Sequence, residues 1–199
     1  KLPKKSIKVA YRASGSGTNS NLTNYLNQTV GGWIKGSNDM KAAAGNSFAS
    51  NATSFANSQL LATYIEDNSN AFGYFDLSDA VVADVAIAKL KNAAGAFVAP
   101  TSSAAGRFIN AQTINSDGTM NIDFKKVVSG AYQLSIVTYG LAPKRPASQK
   151  VSTGTGLAIQ KWFNYLVATC VPSKGATLGY VPLGGSAKTK ALTIIKTIG

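Results

Sequence analysis

The stretch Arg12-Ala13-Ser14-Gly15-Ser16-Gly17-Thr18 places a guanidinium, three hydroxyls and two glycines within seven residues. Arg12 offers a planar fork that bonds two oxygens at once. Ser14, Ser16 and Thr18 add hydroxyls, and Gly15 and Gly17 let the backbone come close to a ligand. If a helix starts directly after the turn, its unpaired N–H groups and the positive end of its dipole complete a cradle of donors, and the preferred guest is an oxyanion. The same turn also serves as a plain tight strand-to-helix connection. It is not a Walker loop, because no Lys follows Gly17, and not a nucleophile elbow, because Gly-x-Ser-x-Gly is absent.

Other chemistry is excluded by counting. The 199 residues contain no His, and Cys170 is the single cysteine. A Ser-His-Asp triad, a Cys-His pair, a zinc finger and a disulfide framework are therefore all ruled out. Asp76, Asp79 and Asp84 have a spacing open to a metal, but Leu77, Val81 and Val82 between them read as a surface helix. No metal or cofactor is expected, and most of the usual hydrolytic chemistry is excluded. Trp33, Trp162 and Phe163 read as core aromatics, Cys170 as a buried inert thiol, and Thr153-Gly154-Thr155-Gly156 as an ordinary helix cap.

The elements around the turn follow from periodicity. Ser6–Tyr11 alternates polar and apolar between Pro3 and the glycines and predicts a strand. Leu22, Tyr25 and Leu26 recur at helical spacing, which predicts a helix over 19–29 with Thr18 or Asn19 as cap. Residues 31–53 read as a loop-rich connection around Trp33, 55–65 as a second helix and Ala71–Phe75 as a short buried strand. Beyond them come a hairpin-like passage from Ala86 to Val98, a helix over 102–112 and a turn at Asn115–Gly118. Tyr132–Leu141 predicts a strongly apolar strand, and a basic loop runs from Pro143 to Ser152. Leu157 to Val167 predicts an amphipathic helix, and 186–198 a last helix. Strands alternating with helices give an α/β class.

Charge is distributed unevenly. Residues 1–12 carry five basic residues and no acid, 13–123 carry five basic residues and all eight acids, and 124–199 carry ten basic residues and no acid. The net charge of +12 suits an anionic partner or anionic surroundings. Nucleic acid is not expected, because the lysines are scattered and not interleaved with stacking aromatics. With 45% hydrophobic residues and no apolar run of transmembrane length, the chain reads as one large domain or two small lobes. It begins at Lys1 without a signal segment, so we expect a processed product or a piece of something longer.

The Arg12–Thr18 loop resembles the Arg-x-Asp-Gly-Ser-Gly-Thr loop of the phosphate-binding proteins of bacterial phosphate ABC transporters. The resemblance continues in order through Asn24-Tyr25-Leu26, Ala71-Phe72-Gly73-Tyr74-Phe75, the segment Leu90–Pro100 and Leu178-Gly179-Tyr180-Val181-Pro182-Leu183. It departs at Ser14, where the family has an Asp that holds the arginine, and around Asn57-Ser58-Gln59, where the family has a lysine- and glycine-rich turn. It also begins well inside a two-lobed chain, so the first-lobe donors, and the Asp that accepts the ligand's proton, are not among these residues.

The resemblance implies a type II periplasmic-binding-protein-like α/β fold, truncated and lacking most of the first lobe. Residues 1–135 would form the second lobe with the anion-binding loop, and 136–199 the crossover strand and the C-terminal segment that normally joins the first lobe. It implies inorganic phosphate held by Arg12, Ser14, Ser16, Gly17 and Thr18, an extracytoplasmic location (periplasmic, secreted or membrane-anchored at the cell surface) and delivery to an ABC permease. At most half a site is present, so weak binding is expected, and the uncovered apolar face leads us to expect a homodimer or a refolded C-terminal segment. The rival reading is a module of a larger secreted or surface protein, with an adhesion or scaffolding role and a degraded anion site.

Overall fold

The computed structural model describes residues 4–30, 35–45, 51–144 and 152–199. The chain forms two compact units, Lys1–Leu90 and Lys91–Gly199.

The first unit is built on a three-stranded parallel sheet. Strand β1 (Lys8–Arg12) lies between β2 (Ala52–Phe55) and β3 (Ala71–Phe72). Adjacent residues Ala10 and Tyr11 are both buried, so the centre of β1 is covered on both faces, as parallel sheets require, and the alternation read from the sequence does not carry over. Helix α1 (Gly17–Thr29) follows β1, α2 (Met40–Ala44) lies before β2, and α3 (Ser58–Asp67) joins β2 to β3. The short α4 (Leu77–Val82) closes the unit and is the surface helix expected around Asp79. The loop-rich reading of 31–53 therefore missed α2 and β2. Trp33 lies outside the described residues.

The strand order β2-β1-β3 means that the chain passes from β1 to one side and then crosses to the other. That reversal puts a crevice at the carboxyl end of the central strand, the place where open α/β sheets receive ligands. The Ser14–Thr18 turn sits there.

The second unit is more fragmentary. Two-residue ladders pair β4 (Leu90–Lys91) with β5 (Phe97–Val98) and β6 (Thr113–Ile114) with β7 (Met120–Asn121). Its core forms around α5 (Ser102–Asn110), where fully buried Phe108 stacks on Phe124 with centroids 5.9 Å apart. Buried Gln133 accepts from the Ala93 N–H at 2.7 Å and donates to the Phe124 and Lys126 carbonyls. Helix α6 (Thr153–Tyr165) runs through a π-turn (Leu166–Cys170) into α7 (Val171–Lys174) and a 3-10 turn (Gly175–Leu178), and α8 (Gly185–Ile195) closes the chain. The C-terminal segment folds back within this unit: the Gly184 N–H donates to Asn110 Oδ1 at 3.0 Å, and Gly106 on α5 faces Val181.

Three expectations fail here. Tyr132–Leu141 is not a strand, because no strand among the described residues supplies a ladder, and buried Gln133 and Ser135 pin its start while Leu141 stays 92% exposed. Trp162 is no core aromatic but 58% exposed, and Cys170 is only half-buried. Most of the basic loop, 145–151, lies outside the described residues.

Candidate functional site

Helix α1 is capped by Ser16, two residues before the earliest cap read from the sequence. Ser16 has extended backbone angles and its hydroxyl oxygen accepts from the Asn19 N–H at 3.3 Å. A cap of this kind satisfies one of the orphan donors of a helix start. Gly15 makes the approach possible with φ +84°, a region that favours glycine.

The turn is held by one buried side chain. Asn19 has no solvent exposure, and its amide donates to the carbonyls of Arg12 at 2.8 Å, Ala13 at 3.1 Å and Asn38 at 3.1 Å. Its Oδ1 accepts from the Tyr74 hydroxyl. One turn later Thr23, also buried, donates to the Asn19 and Ser37 carbonyls and accepts from the Ser37 N–H at 2.8 Å. The buried positions of α1 are therefore polar, while Leu22, Tyr25 and Leu26 are half-buried. Sequence reading missed this because a helical apolar stripe is the usual sign of a buried face, and here the face covers backbone carbonyls that need donors.

Tyr74 reaches the turn from the segment just after β3. Gly73 lies against the sheet so closely that a Cβ there would sit 3.0 Å from the Ala10 carbonyl and 2.9 Å from Leu61, which explains the glycine. The next residue then brings its hydroxyl to the Arg12 N–H, from which it accepts at 3.3 Å. Burial pushes the Tyr74 hydroxyl up to about 12, against the smaller opposing effects of the Arg12 N–H and charge. Asp76, at the head of α4, is also raised, first by desolvation and then by Asp79, with Arg12 pulling the other way.

The five residues proposed from the sequence have different settings. Ser14 is exposed. Ser16 is buried, and its N–H, like that of Gly15, donates to the Asn38 carbonyl, at 3.3 and 3.1 Å. Gly17 is exposed with open space where a side chain would be, Thr18 is half-buried, and the N–H groups of both have no acceptor among the described residues. Arg12 leaves the turn: its guanidinium donates to Ser58 Oγ at 2.8 Å and to the Ala56 carbonyl at 3.2 Å. The turn thus presents a capped helix start with two free donors, positive polarity and no acidic side chain of its own, a setting for a small anion.

The PBP superfamily domain matches residues 1–168. The chain belongs to the periplasmic-binding-protein superfamily. Among its relatives, the phosphate-binding protein PstS of Xylella fastidiosa strain Temecula1 is 27% identical over 169 residues, covering 81% of this chain and 43% of that protein. The protein of the same name from strain 9a5c is 28% identical over 131 residues, covering 65% of this chain and 34% of its own length. A solved high-affinity periplasmic phosphate-binding protein, bound with phosphate, superposes with a TM-score of 0.65 at 19% identity, over 94% of this chain and 57% of that one. This periplasmic-binding-protein chain thus spans about half the length of the relatives it matches, and its α/β fold is a truncated type II arrangement. Among the described residues no cluster of acidic residues or cysteine is suited to a metal.

Proposed function

We propose that this chain binds inorganic phosphate, or a like tetrahedral oxyanion, at the start of α1, as part of a phosphate-binding protein working outside the cytoplasmic membrane. The observation that carries the reading is the pair of unpaired N–H groups of Gly17 and Thr18 on a capped helix start at the carboxyl end of the central strand. The names of the relatives support phosphate as the guest; delivery to an ABC permease without catalysis by this chain is part of the proposal. Arg12, Ser14, Ser16, Gly17 and Thr18 are the proposed ligands, with residues 1–135 and 136–199 as the proposed lobe and C-terminal joining segment. A homodimer through the truncated face, formed by 132–141 and the helix around Trp162 and Phe163, is part of the proposal. No helix of the described residues is long and apolar enough to cross a membrane.

The second reading, a surface or secreted module with a degraded site, is favoured by one observation: the Asn38 carbonyl already takes the Gly15 and Ser16 N–H groups. Titration calorimetry with phosphate separates the two. Each charge-assisted hydrogen bond is worth roughly 1.5–3 kcal/mol, so half a site binds in the millimolar range, and Arg12→Ala weakens it by about tenfold or more. Absence of any response in the wild-type chain supports the module.

A further inference from the structure

Arg12, the last residue of β1, is the only charged residue of the stretch 12–18, yet its guanidinium is anchored on residues 56 and 58. Nη1 meets Ser58 Oγ at 2.8 Å, Nη2 meets the Ala56 carbonyl at 3.2 Å, and Nε is buried with no acceptor among the described residues. Both acceptors are neutral. Ser58 is itself buried and is the first residue of α3, whose start is fixed by Asn57 Oδ1 accepting from the Leu60 N–H at 2.9 Å and by the buried Leu61 and Ala62 one turn on. Its oxygen is therefore presented by a packed helix start and not by a free loop.

We propose that Ser58 is the positioning residue for Arg12 in oxyanion binding. A long flexible side chain loses rotamer freedom when it is ordered around a ligand, and a fixed acceptor removes that cost in advance. A carboxylate, as the family has at position 14, would hold the guanidinium more firmly and place a negative charge beside it. The Ser58 hydroxyl holds it and leaves the charge whole. The orphaned Nε is consistent with this arrangement: Arg12 is seated by Nη1 and Nη2 from the β2–α3 side. The inference rests on the oxyanion reading of the turn.

Nitrogen-15 spectra of the arginine side chains test both. Arg12, Arg107 and Arg145 each contribute one Nε–H resonance, and Arg12→Lys identifies that of Arg12. Ser58→Cys keeps the volume and removes the strong acceptor, Ser58→Ala removes the oxygen without adding bulk, and Ser58→Thr keeps the hydroxyl. In Ser58→Cys and Ser58→Ala, exchange of the Arg12 Nε–H with water should speed up about tenfold and phosphate affinity should fall about tenfold, with Ser58→Thr within about twofold of wild type on both. Unchanged exchange in the cysteine and alanine variants overturns the inference, as does faster exchange with unchanged affinity. A wild-type chain that does not respond to phosphate overturns the oxyanion reading instead, and is recognised as that failure because the exchange rates still separate the variants.

Discussion

The turn after β1 and the stretch from 136 to 165 treat their surroundings in opposite ways. In the first unit, polar side chains are spent inward: Asn19 and Thr23 are fully buried and pin the carbonyls of residues 12, 13, 37 and 38. In the second, apolar side chains are left outward, with Ile136, Tyr139, Leu141, Trp162 and Tyr165 all exposed. A non-repetitive backbone keeps its shape only when its polar groups are matched one by one, because each buried unpaired group costs about 1–3 kcal/mol. The aromatic side chains of α6 fix no such shape. They supply surface, and their exposure is what a face awaiting a partner would show.

The largest consequence falls on Asn19. Asn19→Asp turns three donated bonds into a carboxylate facing three carbonyls and should lower stability by about 3–5 kcal/mol in urea denaturation. A loss below about 1 kcal/mol would mean that the turn does not depend on its buried amide.

An alkaline effect of intermediate size follows from Tyr74. Burial pushes its hydroxyl from the ordinary 10.0 up to about 12 in the fold, so the unfolded chain loses this proton first. The stabilisation is complete below about pH 10 and is lost as pH rises toward 12. A shift of this size is worth a few kcal/mol at most, and solvent screening at a half-buried position reduces it to about 1–2 kcal/mol. Tyr74→Phe should flatten the stability profile over that window. A profile as steep as that of the wild type assigns the alkaline loss to other groups.

The smallest effect is expected on α6. Trp162→Ser should change unfolding stability by less than about 0.5 kcal/mol, since the ring is mostly exposed. Light scattering before and after the change reads its part in association. A loss comparable to that of Asn19→Asp would dissolve the contrast between the two regions.

The strand-turn-helix unit was legible in the sequence because glycine and serine types mark such turns wherever they occur, and the α/β alternation followed from period alone. The interior of the site was not. Asn19 looks like a surface residue of a polar helix start, Ser58 like a helix-start serine, and Tyr74 like one more apolar strand position; only the fold brings them to Arg12. Tyr132–Leu141 shows the reverse error, since high β propensity makes a strand only when a neighbour supplies the ladder. Short strands such as β2 are weak signals for the same reason: Ala52-Thr53-Ser54-Phe55 has little apolar content and is fixed by pairing with β1.

Gly17 provides the most direct test of the oxyanion site. Proline at the first position of a helix fits its fixed φ and removes only an N–H that has no helical partner. The preceding Ser16 already has the extended ψ of 126° that a following proline demands, and no atom lies within 4 Å of a Cβ at position 17. Gly17→Pro should therefore fold as the wild type does while deleting one of the two free donors. Phosphate titrated into the wild-type chain, followed by amide nitrogen-15 shifts, should move Thr18 and Gly17 first. In Gly17→Pro the affinity read from Thr18 should be about tenfold weaker or worse. Equal affinity in the two chains, or shifts confined to residues away from the start of α1, would contradict the placement of the oxyanion at this turn.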